Sequence, residues 1–113
     1  LPRIVGLTKA FQMCSLAERI TGSEAKRHGL VNVCVQSGDV LKAALDKYSR
    51  KFAKMPTGAL GMIKQLLNNS YSASLDEILD REAELQNIAG NSNDYREGVN
   101  SFLEKRKPVF KGN

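Results

Sequence analysis

Only one stretch of this chain reads as a β-strand, and a lone strand narrows sharply what the chain can fold into. Residues 30–35, Leu-Val-Asn-Val-Cys-Val, are short and rich in β-branched side chains. A single strand has no partner for its edge N–H and C=O groups. It therefore pairs with something outside these 113 residues or runs as an extended linker. The remaining apolar residues follow the 3.6-residue period of helices, so the sequence predicts an all-α fold with one short extended segment at 30–35.

The helices are marked by their stripes and their ends. Leu1-Pro2-Arg3 opens extended or as a turn, because the residue before a proline is pushed out of the helical region. Leu7, Ala10, Phe11 and Cys14 then recur at i, i+3, i+4 and i+7, and Gly6 weakens that helix by about 1 kcal/mol relative to Ala. Thr21-Gly22-Ser23 supplies a cap for a short helix over 23–28, and Gly29 suits a left-handed terminating residue. Longer helices are predicted over 39–55, 57–71 and 74–89. Asp39 stands at the cap of the first and Pro56 ends it, Thr57 starts the second, and a Ser74-x-x-Glu77 capping box opens the third. Gly90-Asn91 closes that third helix. Loops of two to six residues suit antiparallel neighbours.

A fourth long helix, within residues 92–112, is the most informative element. Ser92 caps it, Asp94 meets the positive end of its dipole, and Pro108 stops it. Tyr95, Val99, Phe102 and Leu103 form an apolar face opposite Arg96, Glu97, Asn100 and Glu104. Lys105-Arg106-Lys107 forms the predicted last turn, where the cations either complement the helix C-terminus or bind an anion.

Composition removes several function classes. With 42% apolar and 26% charged residues the chain is ordinary for a soluble globular protein, long enough for one modest core. No apolar run approaches the roughly 18 residues of a membrane span, and the N-terminus lacks a signal-peptide layout. An intracellular protein is expected, and, with Leu rather than Met as first residue, so is a piece of a longer chain. The formal charge of +5 suits an acidic partner without choosing one. Cys14 and Cys34 lack the close spacing of zinc or redox pairs and read as reduced thiols packed as small hydrophobes. His28, the only histidine, sits beside Lys26 and Arg27 and reads as a surface residue. Asp76, Glu77, Asp80, Glu82 and Glu84 make a solvated acidic face, from which Glu82 departs toward Leu75, Leu79 and Leu85. Glu82 is therefore expected to be buried and paired, with Lys64 or Arg106 as partner. There is no Gly-rich phosphate loop, no metal set and no assembled active site, so no catalytic and no metal residue is assigned.

Five blocks carry a resemblance. They are LPRIVG at 1–6, RITGSEAKRHGLVN at 19–32, Met55-Pro56-Thr57-Gly58-Ala59-Leu60 with Lys64, Glu82-Ala83-Glu84-Leu85-Gln86, and SNDYREGVNSFLEKRKPVFKG at 92–112. In this order and spacing they resemble the C-terminal part of the enoyl-CoA hydratase/isomerase (crotonase) family over essentially the whole chain. Two departures are Leu16-Ala17, where the family often has Thr-Gly, and Gly22, where Ala is usual.

The resemblance implies that residues 1–38 end a crotonase core and that 39–113 form a C-terminal helical trimerisation domain of four helices. It implies a homo-oligomer, a trimer or dimer of trimers, and an acyl-CoA thioester as substrate with no tightly bound cofactor. It implies neither a nucleic-acid partner nor a membrane span, and a cytoplasmic site of action, or a mitochondrial or peroxisomal matrix in a eukaryote. The family's oxyanion hole and proton-handling glutamates lie upstream of the first block, so this piece alone is expected to be inactive. Phe102 and Lys105 match the family's C-terminal Phe and Lys, commonly placed against the adenine and phosphate end of CoA. Read from the residues alone, Phe102 equally suits core packing and Lys105 equally suits dipole compensation. Isomerases, dehydratases and hydrolases of the family share these blocks. Two readings outside it are a small basic helical nucleic-acid-binding module, resting on the +5 charge and the 105–111 cations, and a helical interaction domain with no enzyme history.

Overall fold

A computed structural model describes all residues, Leu1–Asn113, as seven helices and no strand: α1 (Pro2–Val5), α2 (Leu7–Leu16), α3 (Gly22–Arg27), α4 (Gly38–Phe52), α5 (Thr57–Asn69), α6 (Leu75–Gly90) and α7 (Asn93–Leu103). The segment 30–35 takes no helix or strand hydrogen-bonding pattern, as the all-α expectation requires. The chain divides into two compact units, Leu1–Leu45 and Asp46–Asn113.

In the first unit α1 packs on α2. The opening differs from the expectation of an extended start. Pro2 begins a one-turn helix, where its missing N–H and fixed φ are tolerated, and Leu1 is the non-helical residue before it. Gly6 is likewise outside α2. At φ +80 with no atom near its absent Cβ, it is needed for its backbone angle, as the joint between α1 and α2. Thr21 caps α3 in a reciprocal box: Glu24 N–H donates to Thr21 Oγ1 at 3.2 Å, and Glu24 Oε2 accepts from Thr21 N–H at 2.8 Å. Those Thr21 donors hold the Glu24 carboxyl below its usual range. Gly29, at φ +74, ends α3 as expected, with Leu30 N–H returning to Ala25 O.

The departure at Gly22 has a packing cause. A Cβ there would lie 2.8 Å from Cys34 Sγ, so the half-buried thiol occupies the space an alanine methyl would take. Gly22→Ala is expected to destabilise the chain by about 1 kcal/mol through overlap. In a Cys34→Ala background the same change is expected to be neutral or stabilising by a few tenths of a kcal/mol, following helix propensity. Denaturant titration of the four chains checks this, and equal cost in both backgrounds refutes the contact.

In the second unit α5 packs on α6 and α6 on α7. Ser74 and Glu77 form the predicted capping box at the start of α6, with Ser74 N–H donating to Glu77 Oε2 at 2.7 Å. Asp39 lies in the first turn of α4 rather than at its cap, and α4 stops at Phe52, before Pro56. The apolar stripes fall where the periodicity puts them, yet little covers them. Ala10 and Leu85 are the only buried apolar residues, and the α4 stripe of Leu41, Leu45, Tyr48 and Phe52 is exposed. Two separate compact bodies of these lengths would together expose about 7,400 Å². This chain exposes 9295 Å².

Candidate functional site

The C-terminal residues double back on α7 and are held by two of its carboxylates. Ser92 caps the helix, its Oγ accepting from Tyr95 N–H at 3.1 Å and donating to Ala89 O at 2.6 Å. Asp94, two residues in, is 6% exposed. Lys111 N–H donates to its Oδ1 at 2.7 Å and Gly112 N–H to its Oδ2 at 2.8 Å, while Asp94 N–H donates to Asn113 O at 2.9 Å. The sequence reading placed Asp94 at the dipole; its larger role, gripping the tail, was missed.

The far end of α7 differs from the prediction that Pro108 stops it. The helix ends at Leu103, and the following turn is a Schellman motif. Lys105 N–H donates to Phe102 O at 3.2 Å and Arg106 N–H to Ser101 O at 3.0 Å. This geometry puts Lys105 at φ +54, a left-handed conformation that glycine usually takes. The three cations therefore lie beyond the last helical turn.

Arg106 is engaged by two carboxylates. Its Nη1 and Nη2 donate to Glu97 Oε1 and Oε2 at 2.5 and 2.9 Å, and its Nε donates to Glu104 Oε2 at 2.5 Å. Val109 N–H donates to Glu97 Oε1 at 2.8 Å. The Arg106 guanidinium first, and the Val109 N–H second, push the Glu97 carboxyl down to about 2, and the two carboxylates raise Arg106 further. Because Glu97 favours its charged form in the folded chain, its contribution is complete above its ordinary value of 4.5 and is lost as pH falls through about 2. A carbon-detected titration of the Glu97 carboxyl is expected to show that low midpoint, together with release of the Val109 amide over the same range. A midpoint near 4.5 refutes the bridge.

Glu82, expected to be buried beside a cation, is exposed, and Arg106 is committed elsewhere. The covered side of α6 runs through Ile78, Arg81, Leu85 and Ala89, while Leu75 and Leu79, the supposed core around Glu82, are themselves open. A carboxylate among exposed leucines keeps its water and needs no partner.

Phe102 and Lys105 are joined by the backbone bond that ends α7. Phe102 is 83% exposed, so no core of this chain takes it up. Lys105 is exposed and forms no ion pair. Phe102 borders an open cavity of about 970 Å³ that lies among α5, the end of α6, α7 and the tail. Its walls include Met62, Ile88, Val99, Phe102 and Phe110. No group of three or more His, Cys, Asp or Glu side chains comes together as a metal site, and no helix is long and apolar enough to cross a membrane.

Helices that bury little of their apolar surface within the chain, with a basic turn beside an exposed aromatic, define the class: an all-α module. The chain belongs to the enoyl-CoA hydratase/isomerase (crotonase) family, whose model matches residues 1–113. It is 38% identical over 112 residues to the 1,2-epoxyphenylacetyl-CoA isomerase of Escherichia coli (strain K12), covering 99% of this chain and 42% of that protein. It is 37% identical over 112 residues to the 2,3-dehydroadipyl-CoA hydratase of the same strain, covering 99% and 44%. The crystal structure of an enoyl-CoA hydratase from Geobacillus kaustophilus HTA426 matches with a TM-score of 0.88 at 37% identity, over 99% of this chain and 42% of that one. The chain thus spans less than half the length of these relatives.

Proposed function

We propose that residues 1–113 are the C-terminal part of an enoyl-CoA hydratase, an enzyme that adds water across the double bond of a 2-enoyl-CoA thioester. Residues 1–38 end its core, and 39–113 join subunits into a trimer or dimer of trimers and contribute to the CoA pocket. Phe102 lies against the adenine and Lys105 against a phosphate. No tightly bound cofactor is needed, and the enzyme works in the cytoplasm or an organelle matrix. Because one E. coli relative is named an isomerase and another a hydratase, isomerisation of a CoA thioester is the second reading.

The observation that carries this proposal is Phe102. A phenyl ring left 83% exposed at a helix end, next to an unpaired lysine, suits a surface that a planar, phosphorylated ligand or a neighbouring subunit covers. Elsewhere too, the open stripes of α4 and α7 suit association. The family's catalytic glutamates and oxyanion donors fall outside the matched blocks. The chain alone is therefore expected not to hydrate crotonyl-CoA, since loss of such groups lowers rates by orders of magnitude. Steady turnover that survives controls for contaminating hydratase overturns that assignment. Sedimentation over a wide concentration range is expected to show self-association, and a compact monomer throughout refutes the subunit-joining role.

A further inference from the structure

Three cations follow α7, and they are not equivalent. Arg106 makes three short bonds to the carboxylates of Glu97 and Glu104, and its Nη1 also reaches Lys107 O at 3.3 Å. A phosphate arriving at this turn meets a guanidinium whose charge two carboxylates already offset. Lys105 and Lys107 form no ion pair and are the cations left for a ligand. Lys105 is also held in a left-handed conformation that a lysine adopts only under local constraint. That constraint is visible. Its N–H is tied to Phe102 O, the next N–H to Ser101 O, and the next side chain is forked onto Glu97, which itself accepts from Val109 beyond Pro108.

We infer that Glu97 is a positioning residue: acting through Arg106, it fixes the turn that presents Lys105 beside Phe102 to the phosphate end of a CoA thioester. This inference rests on the proposed roles of Phe102 and Lys105. Fixing the turn in advance removes an ordering cost from ligand binding. It also makes a prediction opposite in sign to that of charge alone. Glu97 is an anion paired to the arginine that stands between Lys105 and Lys107, so by simple electrostatics its loss should tighten the binding of a polyanion. By positioning, its loss should weaken it.

The test is a titration of the isotopically labelled chain with coenzyme A, following the signals of Phe102, Lys105 and Lys107. In the unaltered chain these signals are expected to shift. Glu97→Ala is expected to weaken binding by roughly threefold or more. Arg106→Lys keeps the charge but cannot fork between Glu97 and Glu104, and is expected to weaken it similarly. The Lys111 and Gly112 amides, held by Asp94, report whether the second unit remains folded in each variant. Binding that is unchanged or tighter in both variants, with the signals of Phe102 and Lys105 still moving, overturns the positioning role and leaves their proposed roles standing. Absence of any shift at Phe102 and Lys105 in the unaltered chain overturns both.

Discussion

Asp94→Ala is expected to destabilise the second unit by about 3 kcal/mol and to free residues 111–113. The carboxylate is nearly inaccessible, and each oxygen accepts one backbone N–H, from Lys111 and from Gly112. Bonds of this kind to a charged acceptor are worth more than neutral ones. Removing the acceptor also strands two N–H groups in a half-buried place, where water replaces it poorly. The side chain also sits in the first turn of α7, so its interaction with the helix N-terminus is lost as well. Asp94→Asn retains one acceptor oxygen and is expected to recover about half of the loss. Denaturant unfolding measures the change, and amide exchange at Lys111 and Gly112 locates it. A cost below about 1 kcal/mol, with those amides still protected, shows that the tail is held by something else.

Local physics was legible in the sequence; contacts between distant residues were not. The capping box at Ser74 and Glu77, the cap at Ser92 and the left-handed Gly29 were all read from neighbouring residues, because each depends on groups within about four positions. The Asp94 grip spans 17 and 18 residues and ends on backbone N–H groups, which carry no side-chain signature. Lys105 was hidden for a related reason. Helix ends are read from glycine and proline, and here Pro108 drew the boundary too late while a lysine took the glycine's place.

Glu82 shows a second kind of limit. A helical wheel gives the angle of a side chain, but it does not say which arc is covered. On α6 the covered arc runs through Leu85, and Leu75 and Leu79 lie outside it. The same limit applies to α4, whose apolar stripe lies open. Amphipathicity records that a face has a partner, and the partner need not be in the same chain. For Phe102 this distinction bears on function, since core packing and ligand contact give the same periodicity and differ only in exposure.

Gly112→Ala is expected to cost about 2–4 kcal/mol, from two separable causes. Its φ of +84 is one that an alanine adopts only with strain. A methyl group there would also lie 2.3 Å from Thr57 Oγ1, at the start of α5. Two of the sequence blocks thus meet at this point, because Gly58 faces Gly112 O so closely that a Cβ on Gly58 would lie 3.2 Å away. Removing the obstructing hydroxyl separates the causes. In a Thr57→Ala background the overlap is relieved, so Gly112→Ala is expected to retain only the backbone part, about 1–2 kcal/mol. Combining Gly112→Ala with Asp94→Ala should cost less than the two separately, because both loosen the same tail and the second has less left to break. Denaturant unfolding of the single and double variants decides it. Full additivity with Asp94→Ala would mean that the tail's contacts with α5 and with α7 are independent, and an undiminished cost in the Thr57→Ala background would assign the whole effect to the backbone.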